Sequence, residues 1–532
     1  MAVPSRRGYN GGSQSEHDLG HRFNLGRRAG LLLPLSSVRG PRGGLGSYAD
    51  AGAVARWLRQ GGSTMWQLLP LNEVSPGQDS PYAASSSCAL ESVYIDLDSV
   101  EELDGRLTDD EKRKLDADRR DERVDFEAVR SAKQSALRRA WERFRDRELR
   151  SGSARAREFA TFQEEHREWL PDWALYRALH DQRLKSWRDW EPPLRDREPQ
   201  ALARAREELR DAIAGLSYAQ WIADSTFRRG RAEANSLGVK MLGDLPFMVA
   251  EDSADVWGLQ HLFRFDATVG VPPDAYSADG QDWGLPVPHW NEMRDAGDPW
   301  LNVRAMRAAE LYDAFRVDHV VGLYRTYARP IDKSPPFFVP AEEPEQKEQG
   351  ERILGLLGEK AEVIAEDLGT VPDFVRQSLA DVGIPGTKVL RWEVDDGVPR
   401  DVSKFPEISL AVTGTHDTES LYAWWEGLPE HERREQLKQP FLRDLRGDPR
   451  HYTEATRNAL LELLYSAASD AILTPITDAL GRRDRLNTPG TVGRHNWTWR
   501  LPWRLGEMDT APEPVAAARL LTHLAERYGR VR

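Results

Sequence analysis

The feature that constrains this chain most is a set of short apolar runs that each lead into an acidic residue. Residues 314–319 read Ala-Phe-Arg-Val-Asp-His, so a pattern typical of a buried strand leads directly to Asp318. Two later runs repeat this design and lead into Glu366 and Asp417. Parallel barrels keep their chemistry at the carboxyl ends of their strands. The pattern therefore predicts a buried parallel sheet with an acidic rim.

Eight strand-like runs occur along the chain, and helical patterns lie between most of them. The runs are centred near residues 31, 66, 241, 316, 364, 389, 412 and 473. Strands that alternate with helices form parallel sheets, because each helix returns the chain across the sheet face. Eight such units predict an α/β fold, a (β/α)8 TIM barrel.

Three stretches interrupt this alternation. Residues 1–25 are rich in Gly, Ser, Arg and Asn and lack the apolar core of a secretory signal, which predicts a flexible arm before a catalytic region at 26–532. Residues from about 99 to 215 combine mixed-sign charge with aromatic residues at helical spacing, which predicts a helical insertion. Residues from about 251 to 300 are rich in Asp, Pro, Gly and Trp and are predicted to be an irregular loop insertion at the active-site rim.

The composition bounds the compartment and the partners. A formal net charge of −13 argues against a nucleic-acid partner, which usually requires a basic face. No run approaches the roughly 18 apolar residues of a membrane span. The single cysteine, Cys88, excludes an internal disulfide and favours a reducing compartment, and it is expected to be an inert thiol. The chain is therefore predicted to be cytoplasmic, with neither a nucleic-acid nor a membrane partner.

In a barrel, Asp244, Asp318, Glu366/Asp367 and Asp417 would project at one end, from strands three, four, five and seven. Carboxyl groups that share a cleft repel one another, so some pKa values rise while others stay low. Glycosidic bond chemistry requires this, because one acid must stay protonated and another must stay ionised. Arg316 precedes Asp318 by two residues, so it is expected on the same side of the strand, where its charge would keep Asp318 ionised.

The same residues allow two other interpretations. Each acid taken alone is expected to cap a helix or to pair with an arginine, but a set at successive strand ends favours a site. A metal centre is the other interpretation of clustered Asp and His. It is disfavoured because adjacent residues such as His416 and Asp417 point to opposite faces of a strand, and no HExxH spacing occurs. His319 and His416 could instead donate hydrogen bonds to sugar hydroxyls.

Collinear motifs across most of the chain resemble those of one enzyme family. They include Trp66-Gln67-Leu68-Leu69-Pro70, Asp79-Ser80-Pro81-Tyr82, Gly243-Asp244-Leu245-Pro246-Phe247, Gly280-Gln281-Asp282-Trp283-Gly284, Phe315-Arg316-Val317-Asp318-His319, Ile364-Ala365-Glu366-Asp367-Leu368, Gly414-Thr415-His416-Asp417-Thr418 and Asn487-Thr488-Pro489-Gly490-Thr491. On these motifs the chain resembles the 4-alpha-glucanotransferases called amylomaltases or disproportionating enzymes, which form glycoside hydrolase family 77.

The resemblance implies a role for each matching residue. It makes Asp318 the nucleophile, Glu366 the general acid/base and Asp417 a third carboxylate that stabilises the transition state. For substrate binding it implies Tyr82, Asp244, Trp283, Arg316 and His416. His319 is added to this set because its imidazole could donate to sugar hydroxyls. The resemblance implies no cofactor and no metal, and the substrates that it implies are maltooligosaccharides, amylose or glycogen-type chains.

The predicted function is that of a 4-alpha-glucanotransferase. It would transfer α-1,4-glucan segments between maltooligosaccharides through a covalent glucosyl-enzyme, with two displacements and net retention. Tyr82 and residues 251–300 are predicted to keep water from the cleft. The alternatives are a retaining hydrolase or a phosphorylase that acts on α-glucans on the same barrel, or a non-catalytic scaffold that binds maltodextrin or glycogen.

Overall fold

The barrel predicted from the sequence is confirmed in a computed structural model that describes residues 26–41, 44–75, 77–273 and 279–531. The predicted arm, residues 1–25, lies outside the described residues. Each barrel strand pairs in parallel with the next along the chain, and the eighth closes against the first. The strands are β1 (Arg28–Leu32), β2 (Met65–Gln67), β3 (Lys240–Leu245), β4 (Ala314–Val317), β5 (Glu362–Ala365), β6 (Gly386–Val389), β7 (Ser409–Val412) and β8 (Ala471–Pro475). Each of the eight predicted centres falls within one of these strands.

Side chains that alternate along the strands fill the barrel interior. Successive residues of a strand point to opposite faces, so one set packs inside and the other packs against the surrounding helices. In β4, Ala314 points inward, whereas Phe315 and Val317 join the outer core. The inward cluster contains Met65, Leu242, Ala314, Ile364, Val389, Leu410, Val412, Ala471 and Leu473.

Helices cover the outside of the barrel between most of the strands. Their ranges are Ala51–Gln60, Arg210–Ser236, Pro299–Leu311, Glu343–Gly358, Asp373–Asp381, Leu421–Gly427, Glu430–Gln436, Glu454–Tyr465 and Pro512–Arg527. The helix before β5 begins at Glu343. Pro344 lies in its first turn, where a helix tolerates proline because the N–H groups there have no helical partner. None of the described helices is long and apolar enough to cross a membrane.

The segment between β2 and β3 is built from helices around an aromatic cluster. Its longer helices are Asp109–Arg120, Phe126–Phe144, Ala154–Glu165, Leu170–Arg183 and Pro199–Glu208, followed by the long helix that leads into β3. Trp141, Phe144, Phe159 and Tyr218 are buried and contact one another, with ring centroids 5.0 to 6.4 Å apart. These aromatic rings therefore pack together in the interior of the segment.

The segment 251–300 is more regular than its composition suggested, and the prediction of an irregular loop was wrong. Strands Phe263–Val271 and Gln281–Pro288 pair antiparallel, and Thr326–Pro330 and Phe337–Val339 extend them into a four-stranded sheet. We call this unit the rim sheet. Residues 274–278, in the connection between its first two strands, lie outside the described residues.

Candidate active site

Strand register brings the predicted charged residues to one end of the barrel. Asp244 on β3 pairs with Arg316 on β4, and Arg316 pairs with Ile364 on β5. Asp244 and Arg316 follow inward-facing residues at a spacing of two, so they also face the interior. Asp318 and Glu366 continue the same alternation just past the carboxyl ends of β4 and β5.

Arg316 connects three of the acids. Its Nη1 donates to both carboxylate oxygens of Asp244, at 2.7 and 2.8 Å. Its Nη2 lies 3.1 Å from Oδ1 of Asp318 and 3.9 Å from Oε2 of Glu366. Oδ1 of Asp318 and Oε2 of Glu366 both lie within 3.9 Å of this one nitrogen atom, so they are close to each other. Both carboxyl groups can therefore reach one glycosidic linkage. Burial disfavours the Arg316 charge, but the surrounding acids raise its pKa well above the usual value.

Glu366 is held by two backbone amides. The N–H of His319 donates to Oε2 at 2.7 Å, and the N–H of Leu368 donates to Oε1 at 3.2 Å. Burial raises the pKa of Glu366 to about 8; Arg316 opposes this rise and Asp318 adds to it. Glu366 is therefore protonated at neutral pH, as a general acid must be.

The surroundings of Asp417 lower its pKa, whereas those of Glu366 raise it. Asn487 donates from Nδ2 to Oδ1 of Asp417 at 2.6 Å. Nε2 of His416 lies 3.4 Å from Oδ2 of Asp417, because both residues lie past the end of β7; the prediction that they point to opposite faces of a strand was wrong. Burial acts to raise the pKa of Asp417, but the His416 charge and these hydrogen bonds outweigh it and hold the pKa well below its usual range. Asp417 is thus ionised while Glu366 is protonated, and the two carboxyl groups differ as glycosidic chemistry requires.

An aromatic group lies beside β3 and β7. The ring of Tyr82 stacks on that of His416 with centroids 5.1 Å apart, and Trp497 lies 5.7 Å from both. The hydroxyl of Tyr82 donates to Asp244 at 2.9 Å, and burial raises the pKa of Tyr82 well above its usual value. This group joins the Arg316 cluster to the carboxylate at the end of β7.

His319 contacts the rim sheet. Its ring meets that of Trp283 edge to face, with centroids 4.8 Å apart, and that of Phe247 at 5.6 Å. Burial lowers the pKa of His319 to about 4, so its imidazole is neutral near pH 7. All nine residues predicted for the site thus contact at least one other member of the same cluster.

Two side chains considered for chemistry lie elsewhere. Asp367 follows Glu366 but turns toward β6, where it accepts from the N–H of Thr387 at 2.6 Å. Cys88 is buried, and burial raises its pKa to about 12, so the thiol is protonated. Among the residues that the structure describes, there is no cluster of three or more His, Cys, Asp or Glu side chains that could hold a metal ion.

Sequence reasoning assigned no role to three residues that contact the site. Asn487 holds the Asp417 carboxylate, and Arg485 donates to its backbone carbonyl at 2.5 Å. Trp497 completes the aromatic group. Asn487 opens one of the matching motifs and could have been found there, whereas nothing local marks Arg485 or Trp497.

Comparison with known proteins gives one consistent result. The family model described as 4-alpha-glucanotransferase matches residues 33–505. The 4-alpha-glucanotransferase of Thermus thermophilus is 33% identical over 522 residues, which cover 95% of this chain and 100% of that protein. The chloroplastic/amyloplastic enzyme of Solanum tuberosum is 30% identical over 527 residues, which cover 95% of this chain and 87% of that protein.

Solved structures show the same likeness. The amylomaltase from Streptococcus agalactiae, determined in complex with acarbose, superimposes with a TM-score of 0.81 at 27% identity and covers 95% of this chain and 99% of its own. The family model spans most of the chain, and the relatives match along nearly its whole length. The chain therefore belongs to the 4-alpha-glucanotransferase family, glycoside hydrolase family 77.

Proposed function

We propose that Asp318 and Glu366 carry out a double displacement at one anomeric carbon. The substrates are α-1,4-glucans such as maltooligosaccharides, amylose or glycogen-type chains. The observation that carries this proposal is the position of both carboxyl groups against the same nitrogen of Arg316, with Glu366 protonated at neutral pH.

In the first displacement, a carboxylate oxygen of Asp318 forms a bond to the anomeric carbon. Glu366 gives its proton to the glycosidic oxygen, whose bond to that carbon breaks, and the shortened glucan leaves. A covalent β-glucosyl-enzyme remains. The ion pair with Arg316 orients Asp318 for this attack.

In the second displacement, Glu366 is a carboxylate and takes the proton of an acceptor hydroxyl. The acceptor oxygen bonds to the anomeric carbon, and Asp318 leaves as a carboxylate. Two inversions give net retention, so a new α-1,4 bond forms. Enzymes of this type place the two carboxyl groups about 5–5.5 Å apart, which is the separation we expect with substrate bound.

Asp417 and the aromatic group support these steps. An ionised Asp417 beside the reacting sugar stabilises the positive charge of an oxocarbenium-like transition state. The stacked rings of Tyr82 and His416 offer flat faces and polar edges to sugar rings. Asp244 and His319 complete the polar lining, and the neutral imidazole of His319 can donate to a hydroxyl.

Transfer must outcompete hydrolysis, and the rim sheet serves this purpose. Trp283 on its second strand reaches His319, so this sheet lies against the reacting end of the barrel. A cover that excludes water and holds an acceptor sugar in place favours transfer through effective molarity.

The sequence supports two further proposals. The single cysteine favours a reducing compartment, so we place the protein in the cytoplasm. Aromatic residues pack among the helices between β2 and β3, so we propose that residues from about 99 to 215 form an inserted helical subdomain.

Pure maltotriose tests the proposal most simply. A transferase yields glucose and a ladder of longer maltooligosaccharides, which chromatography resolves by length. Glucose and maltose without longer products would indicate a hydrolase, and formation of glucose 1-phosphate only when phosphate is present would indicate a phosphorylase. Binding without turnover would indicate a scaffold. The Asp318→Asn variant is the matched control and should form no products.

A further inference from the structure

The His319 ring is held between two aromatic side chains from different parts of the fold. Trp283 approaches from the rim sheet, and Phe247 approaches from the turn after β3. Phe247 is buried, with 3% of its surface exposed. The mechanism proposed above assigns Phe247 no role.

Gly322 provides the space for this packing. A Cβ atom at Gly322 would lie 2.6 Å from Cζ of Phe247 and 2.9 Å from Cδ2 of His319, both closer than non-bonded atoms allow. Gly322 lies in the short helix Val321–Tyr324 and its φ is not in the left-handed region, so its backbone would accept an alanine. The space for two rings, rather than the backbone conformation, therefore requires glycine here.

The packed ring belongs to a residue with an unusual backbone conformation. The φ of His319 is +46°, in the left-handed region that side-chain-bearing residues rarely adopt. In this conformation the His319 N–H donates to Oε2 of Glu366 at 2.7 Å. A residue that holds the ring therefore also holds the donor to Glu366.

We propose that Phe247 is a positioning residue that acts through His319 to fix the carboxyl group of Glu366. The inference rests on the proposed role of Glu366 as general acid/base. It extends that role to a buried side chain that touches neither the substrate nor the reacting atoms.

The groups that face Glu366 determine what a pH profile can report. Arg316 and Asp318 face it from β4, and Asp367 adjoins it. His319 stays neutral, because its pKa is about 4. The hydrogen bond from the His319 N–H lowers the pKa of Glu366, so loss of this bond raises that pKa.

The Phe247→Leu variant tests the inference. We expect kcat for transfer from maltotriose to fall by roughly ten- to a hundredfold, with a smaller change in KM, because Glu366 is misplaced. We also expect the alkaline limb of the kcat/KM profile to move to higher pH. The matched control is Phe227→Leu, which removes an equally buried ring from the helix before β3 and should leave the limb in place.

The Gly322→Ala variant tests the same contact by adding a methyl group between Phe247 and His319. It should lose activity and shift the limb in the same direction, and adding Phe247→Leu should restore part of the loss because the smaller side chain makes room. An alkaline limb that stays in place in both single variants, while each remains folded by circular dichroism, would overturn the inference. Glu366→Gln separates the two proposals: if it stays fully active, the proposed function itself fails.

Discussion

At the residue scale, the protonation of Glu366 determines the pH range of the reaction. Burial raises its pKa to about 8, and the first displacement requires the protonated form. Because a raised pKa keeps this carboxyl group protonated up to that value, kcat/KM should be sustained at neutral pH. It should then fall as the pH rises through about 8. Initial rates of glucose release from maltotriose across this range measure the effect.

His416 provides the control for this prediction. Burial acts to lower the pKa of His416, but the charge of Asp417 and its hydrogen bond outweigh burial and raise it, so this imidazole is a second titratable group at the site. A His416→Gln variant should have lower activity but keep the alkaline limb. Loss of the limb in that variant would assign it to His416 and contradict the assignment to Glu366.

The site residues differ in how far sequence could identify them. Asp244, Arg316, Asp318 and Glu366 lie at the ends of apolar runs, so strand periodicity alone predicts that they converge. Trp497 joins them from the segment after β8, where no strand pattern precedes it. Its contacts depend on how that segment folds back across the barrel, and this is a tertiary property.

At the scale of elements, the barrel strands were predictable and the rim sheet was not. Barrel strands are buried on both faces, so they appear as continuous apolar runs. The rim strand Phe263–Val271 instead alternates in sequence, with Phe263, Phe265, Ala267 and Val269 separated by polar residues, and a register shift between Arg264 and Thr268 interrupts its pairing. Its partner Gln281–Pro288 contains two prolines, which a sheet tolerates here because the strand is at the edge. The glycine and proline residues in this segment therefore made two regular strands resemble a loop in the sequence.

The rim sheet also carries a prediction. Trp283→Ala removes the side chain that joins this sheet to His319, which opens the reacting end to water. The ratio of hydrolysis to transfer should rise, measured as new reducing ends against transferred glucose. Trp283→Phe keeps an aromatic ring and should stay closer to the parent ratio. An unchanged ratio in the alanine variant would count against the rim sheet as a cover.

At the scale of the whole molecule, a buried ion pair joins distant parts of the chain. Nη2 of Arg500 donates to Oδ1 of Asp118 at 2.5 Å, and both side chains are buried. Asp118 lies on a helix of the insertion and also accepts from the N–H of Leu45 at 3.2 Å, in the Gly-rich loop after β1. One carboxylate thus connects the insertion, this loop and the carboxyl-terminal segment.

Removal of this carboxylate should destabilise the whole fold. Asp118→Ala removes a buried carboxylate that accepts from Arg500 and from the N–H of Leu45, and removing one member of a buried ion pair typically costs about 3–5 kcal/mol in the free energy of unfolding. Urea denaturation followed by circular dichroism measures the loss. Asp110→Ala, which removes an exposed pair on the same helix, should have little effect. Equal stability of the two variants would contradict the assigned role of Asp118. The partners are 382 positions apart, so no sequence pattern identifies them.

In the proposed mechanism, Asp318 attacks the anomeric carbon while Glu366 protonates the leaving oxygen. Trapping the covalent intermediate tests this division of roles most directly. A Glu366→Gln variant given maltosyl fluoride can complete the first displacement, because fluoride leaves without an acid, but it lacks the base for the second. Mass spectrometry of the digested protein should then find a maltosyl group on the peptide that contains Asp318. A label on any other residue, or a product of inverted configuration with no label, would contradict the account.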